Sequence, residues 1–127
     1  KLETLAGDET ILVVEDDTLV RTAVRHYLEH SGYRVLEAAA GDEALDRFNA
    51  HLETISLVLT DVVLPGLPGP ELAAAIHEVA QTPVAFMSAY PTSKLLRDRL
   101  LPPGTTSLCK PFTEAELLLV VREALDG

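Results

Sequence analysis

Residues 55–69, Ile55-Ser56-Leu57-Val58-Leu59-Thr60-Asp61-Val62-Val63-Leu64-Pro65-Gly66-Leu67-Pro68-Gly69, decide the fold. Ile55, Leu57, Val58 and Leu59 form a short aliphatic run, which Thr60 closes and Asp61 follows. Such a run before a Pro- and Gly-rich loop predicts a strand buried on both faces. A carboxylate at the C-terminal end of a buried strand costs free energy unless it is paired or used. On this stretch alone, Asp61 reads equally well as a cap of the following turn, a common position for aspartate.

The same pattern recurs on either side. Thr10 to Val14 is a second buried run, ending in Glu15, Asp16 and Asp17. Asp17 or Thr18 is placed to cap a helix reaching about His30, with Leu19, Val20, Ala23, Val24, Tyr27 and Leu28 on its apolar face. Ser31-Gly32 ends that helix, and Tyr33 to Ala38 predicts an edge strand. Gly41-Asp42 opens a second helix with Ala44, Leu45, Phe48 and Leu52 facing inward. After Asp61, Pro70 and Glu71 start a third helix ending near Ala80. Pro83 to Ser88 is a fourth strand. Pro91-Thr92 opens a short helix with Leu95, Leu96 and Leu100, stopped by Pro102-Pro103-Gly104. Thr105 to Cys109 is a fifth strand, followed by Lys110-Pro111-Phe112. Thr113 and Glu116 then form a capping box for a last helix carrying Leu117, Leu118, Val120, Val121 and Leu125.

Five strand-then-helix repeats imply a parallel sheet with helices on both faces. The expected fold is α/β, a flavodoxin-like (βα)5 three-layer sandwich with strand order 2-1-3-4-5. Residues 1–9 read as an N-terminal tail or linker and residues 10–127 as one domain, in keeping with a length of 127. The polar start lacks a signal-peptide core and an initiator Met, which suggests a trimmed chain or a domain cut from a longer one. No apolar run approaches the ~18–20 residues that span a bilayer. The lone Cys109 excludes an internal disulfide framework and fits a cytoplasmic location. A net charge of −10, with no Lys or Arg between Phe48 and Ser93, disfavours direct nucleic-acid binding.

In the expected order, the first and third strands flank the crevice at the carboxyl ends. Glu15, Asp16 and Asp61 should therefore converge there. Like charges a few ångströms apart repel by about 4 kcal/mol per pair at an effective dielectric near 20. Such a site holds a proton or binds a cation, and an all-oxygen cluster suits Mg²⁺ (or Mn²⁺). His26, His30, His51 and His77 fall in helices or at their ends and read as surface or interhelical residues. Ser88 and Lys110 end the fourth and fifth strands and point into the same crevice. A carboxylate, a hydroxyl, an ammonium and a divalent cation make a phosphoryl-binding constellation, with Asp61 as nucleophile.

The motifs ILVVEDD (11–17), LVLTDVVLPGLPGPEL (57–72), PVAFMSAY (83–90) and CKPF (109–112) resemble the receiver domain of two-component response regulators, over essentially all of residues 10 to 126. The resemblance implies that Asp61 is the phosphoacceptor and that Glu15 and Asp16 hold Mg²⁺ with the backbone carbonyl of Val63. It makes Ser88 the switch hydroxyl and Lys110 the family lysine, with a Lys110–Pro111 bond that is commonly cis. It implies a histidine kinase or phosphotransfer domain as donor, a fused kinase or output domain, and a helix 4, strand 5, helix 5 face that engages a partner or a second copy as a homodimer. Enzymatic activity would be limited to self-phosphorylation and slow autodephosphorylation. GDETILVVEDD, SAYP and KPFTEAELL are most like the receivers of hybrid sensor histidine kinases.

The chain departs from the family at two places. Ser107 stands where an aromatic usually precedes the lysine by three residues, with Tyr90 as a neighbouring ring, and Leu-Pro-Pro-Gly at 101–104 stiffens the end of the fourth helix. An aspartate-nucleophile phosphatase or phosphomutase, and a Mg²⁺-dependent nucleic-acid enzyme, would each place a second acid at Val63. A receiver that signals without phosphorylation is the remaining alternative, kept open by Ser107.

Overall fold

Residues 2–102 and 104–127 are described by a computed structural model. Five strands alternate with five helices: β1 (Thr10–Val14), α1 (Thr18–His30), β2 (Arg34–Ala38), α2 (Gly41–Ala50), β3 (Ile55–Asp61), α3 (Gly69–His77), β4 (Val84–Ser88), α4 (Thr92–Arg97), β5 (Ser107–Cys109) and α5 (Glu114–Asp126). The strands are all parallel in the order β2-β1-β3-β4-β5, the expected flavodoxin-like arrangement.

Alternation along the strands sends side chains to two cores. Ile11, Val13, Leu57, Leu59 and Met87 pack with Val24 and Leu28 of α1 and Leu117, Leu118 and Val121 of α5. Leu12, Val14 and Val58 pack with Ala44 and Phe48 of α2 and Leu72 and Ile76 of α3. A smaller cluster of Val62, Ala73, Phe86, Leu95 and Leu101 seats α4. Burying a Leu or Phe side chain stabilises by about 1.5–3 kcal/mol, so the two larger cores hold the sheet and α4 has the weakest seat.

The local signals act where expected. Asp17 Oδ1 accepts from the Leu19 and Val20 amides at the start of α1. The Thr113–Glu116 capping box is formed in both directions. Differences arise where tertiary packing intervenes. Leu19, expected on the inward face of α1, is 82% exposed, and Ala23 is exposed too. Helix α2 stops at Ala50, so Leu52 lies outside it and is exposed, not core. Helix α3 ends at His77 and not near Ala80, β2 starts at Arg34, β4 at Val84 and β5 at Ser107. Leu95 is buried, but Leu96 and Leu100 are exposed. α4 is only six residues, and its exit passes through Arg99 in a left-handed conformation (φ 60°) before the proline stop, of which Pro103 lies outside the described residues.

The polar start of the chain is built into the domain. A 3₁₀ turn at Leu2–Leu5 precedes β1, and Leu5 packs on the α1–α5 core. The Tyr33 hydroxyl donates to the Leu5 carbonyl at 2.7 Å, and Gly7 N–H donates to Ser31 O. Arg122 of α5 grips Glu9 with two nitrogens, reaches the Ala6 carbonyl, and pairs with Asp126. A bidentate Arg–carboxylate pair is worth more than a surface pair because its geometry is fixed. Arg122→Ala should lower the unfolding free energy by about 1–2 kcal/mol in urea denaturation, with increased proteolytic cleavage ahead of β1.

Candidate phosphoacceptor and metal site

The turn after β1 and the end of β3 bring the acids together because β1 and β3 are adjacent and in register, Val14 opposite Thr60. Ligating oxygens of Glu15, Asp16 and Asp61 all lie within 4.8 Å of one another. Glu15 is 1% and Asp61 7% exposed, while Asp16 faces solvent. Lys110, at the end of β5, reaches across the crevice. Its Nζ donates to Glu15 Oε1 and lies 2.9 and 3.0 Å from the two Asp61 oxygens. The Lys110–Pro111 bond is cis, as the resemblance implies.

One ammonium cannot neutralise three clustered carboxylates. Burial lifts the Asp61 carboxyl and the neighbouring Glu15 lifts it further; Lys110 pulls the other way and loses, leaving Asp61 at about 7. Burial also opposes Glu15 ionisation, but hydrogen bonds from Asp61 and Lys110 outweigh it, and Glu15 sits below its ordinary value. Burial works against the Lys110 charge, yet its two carboxylate partners hold its pKa above the usual lysine value. Without a cation, Asp61 therefore keeps its proton to a far higher pH than an ordinary aspartate does. Hard oxygen donors this close, with too little positive charge among them, fit a divalent cation.

Ser88 is buried at the end of β4, one residue beyond Met87, which pairs with Asp61. Its hydroxyl accepts from the Tyr90 amide at 3.0 Å and makes no hydrogen bond to Asp61. Its carbonyl accepts from the Lys110 amide at 2.7 Å, tying the ends of β4 and β5 together. Val63 follows in the β3–α3 loop with an exposed side chain, and no hydrogen bond among the described residues engages its carbonyl.

Sequence reasoning missed two supports of this site. Gly69, read only as part of a loop, opens α3 directly against Asp61: its amide donates to Val62 O at 2.9 Å, and a Cβ there would collide with the Asp61 carbonyl. The helical start PG–P was a visible signal for a turn, but not for this contact. Arg21 of α1 donates to the Glu15 carbonyl at 2.7 Å and to Glu37 Oε1 at 3.0 Å. Nothing in its spacing announced this, because Glu37 comes from another strand.

Residues 11–122 match the family model for the response regulator receiver domain. The chain belongs to the receiver-domain family. Its receiver fold is 32% identical, over 99% of the chain, to the sensor kinase CckA of Brucella abortus, of which it covers 13%. It is 34% identical, over 91% of the chain, to the transcriptional regulatory protein CpxR of Escherichia coli, of which it covers 48%. Among solved structures it is similar to the receiver domain of the hybrid histidine kinase CckA, with 37% identity, a TM-score of 0.76, and coverage of 91% of this chain and 98% of that one. This receiver spans about half the length, or less, of the curated relatives it matches. Two-component signalling is therefore its setting, and no helix among the described residues is long and apolar enough to cross a membrane.

A raised carboxyl favours the protonated fold, so its stabilising contribution is complete below the unfolded value of 3.8 and is lost as pH rises through about 7. Without divalent cations, urea stability should fall by about 1–3 kcal/mol between pH 5.5 and 8. Asp61→Asn should flatten that slope and exceed the wild type at pH 8. Separately, Gly69→Ala should cost about 1–3 kcal/mol by the same measurement, because the obstructing atom is backbone.

Proposed function

We propose that this receiver takes a phosphoryl group onto Asp61 from the phosphohistidine of a histidine kinase or phosphotransfer domain, in a Mg²⁺-dependent reaction. The observation that carries this reading is the meeting of Asp61 and Lys110 with Glu15 and Asp16 in one small crevice. Glu15, Asp16, Asp61 and the Val63 carbonyl are the groups to hold Mg²⁺. Bound there, the ion would supply charge neutralisation for the incoming phosphoryl oxygens.

An Asp61 carboxylate oxygen attacks phosphorus in line, forming the P–O bond as the P–N bond breaks. The electron pair leaves with the imidazole nitrogen, which takes a proton from solvent. Lys110, already on Asp61, follows a phosphoryl oxygen, and the Ser88 hydroxyl is the donor for another. Water attack on the acyl phosphate returns Asp61 and inorganic phosphate, the slow autodephosphorylation.

Beside Lys110 lies a groove of about 500 Å³ lined by Leu19, Val20, Ala23 and Tyr27 of α1 and by Pro111 and Phe112. The exposed Leu19 and this groove are suited to the apolar surface of the donor that presents the phosphohistidine. The likeness to the CckA receiver supports a hybrid kinase as parent or partner.

Readout runs from Ser88 to α4. Tyr90 N–H is bonded to the Ser88 hydroxyl, the Lys94 ammonium lies 5.6 Å from the Tyr90 ring centroid, and Lys94 pairs with Asp98 at 3.0 Å. Drawing Ser88 toward the phosphoryl group pulls the Tyr90 backbone and loosens α4, the least firmly seated helix, on the α4–β5–α5 face. Ser107, where the family carries a ring, pairs in register with Phe86, whose buried ring fills that layer from β4.

Intact-mass measurement after incubation with Mg²⁺ and a small-molecule phosphodonor tests the central step. The wild type should gain one phosphoryl group that chelation of Mg²⁺ abolishes, and Asp61→Asn should gain none. A wild type that stays unmodified, or a mutant modified equally, rules the reading out and favours a phosphorylation-independent interaction module.

A further inference from the structure

We propose that Arg21 is the positioning residue of the metal-binding turn, holding Glu15 and Asp16 in the arrangement a divalent cation needs. This rests on the reading of Glu15, Asp16 and Asp61 as a Mg²⁺-dependent acceptor site, and concerns what keeps that site in shape.

Two of the three carboxylates sit on the turn between β1 and α1, outside the sheet. The Glu15 amide is held by the Ala38 carbonyl at the end of β2 at 3.0 Å, but β1 ends at Val14, so the Glu15 carbonyl has no place in the ladder. The Arg21 guanidinium takes that place. Nη1 donates to Glu15 O at 2.7 Å, while Nε donates to Glu37 Oε1 at 3.0 Å on β2. The Arg21 amide donates to Asp17 O at 2.9 Å. One residue, its side chain 18% exposed, thus ties together the end of β1, the turn and β2. Arg25, at 3.5 Å from the other Glu37 oxygen, helps fix Glu37 but touches nothing in the turn.

The geometry uses the planar fork of arginine: one edge faces the carbonyl and the neighbouring nitrogen faces the carboxylate. Lysine keeps the charge but offers a single ammonium that cannot span both acceptors. Fixing the Glu15 carbonyl fixes the peptide plane joining Glu15 to Asp16, and hence the directions in which both side chains leave the backbone. Repulsion between the two acids and Asp61 would otherwise spread the turn. Groups that orient ligands without touching the metal commonly govern affinity by about 10–100-fold.

Arg21→Lys, Arg21→Gln and Arg25→Gln are compared with the wild type by Mg²⁺ titration, followed through the NMR amide shifts around Asp16 and Asp61, and by urea denaturation. Both Arg21 variants should bind Mg²⁺ about tenfold more weakly while remaining folded, and Arg25→Gln should bind like the wild type. Wild-type affinity in both Arg21 variants overturns the proposal. So does wild-type affinity in Arg21→Lys alone, since charge and not positioning would then be the cause. If an Arg21 variant fails to fold, Glu37→Leu removes the acceptor that anchors the guanidinium: weaker Mg²⁺ binding supports the positioning role and unchanged binding overturns it. A wild type that shows no Mg²⁺ binding defeats the acceptor-site reading first, an outcome distinct from normal binding in the variants.

Discussion

Repulsion among three carboxylates at the ends of two adjacent strands is the constraint on which the rest depends. At a separation near 4 Å each pair is unfavourable by about 4 kcal/mol at an intermediate dielectric. The protein meets it with Lys110, reaching from the far edge of the sheet, and by raising the Asp61 carboxyl to about 7. The parallel sheet makes this possible: every strand ends on the same side, so residues from β1, β3, β4 and β5 meet in one crevice.

The supports are of two kinds. Backbone contacts set the height of Asp61: Gly69 lets α3 begin against its carbonyl, and the Ser88–Lys110 bond joins β4 to β5. Charged contacts set the turn after β1, where Arg21 and Glu37 hold the Glu15 backbone. The opposite end of the domain is closed by Arg122, which clamps the segment ahead of β1 to α5. That segment read as a tail because its residues are polar. Its anchors, Tyr33 and Arg122, lie far along the chain.

The α4 region is built differently from the rest. Its seat is the small Phe86–Leu95–Leu101 cluster, and its exit requires Arg99 in a left-handed conformation, which a non-glycine residue adopts at a cost of roughly 1 kcal/mol. Phe86 is buried and pairs in register with Ser107. Tyr90, on the surface, is tied to Ser88 through its backbone amide and carries Lys94 over its ring.

By itself the sequence determined the architecture. Aliphatic runs ending in polar residues, caps at Asp17 and Thr113, and strict alternation of strand and helix fit the order 2-1-3-4-5, and that order brought Glu15, Asp16, Asp61 and Lys110 together. These signals are local, and hydrophobic periodicity writes them directly into the chain. Only the tertiary structure decided which apolar residues lie outside, as with Leu19 and Leu52, because a helix pattern does not say how far the neighbouring layer extends. Only it showed the Arg21 fork, the Gly69 contact and the Arg122 clamp, since each joins residues from different elements at positions that no period relates. The raised Asp61 carboxyl belongs to the same class: its pKa follows from burial and from the distances to Glu15 and Lys110, quantities that exist only once the sheet has formed.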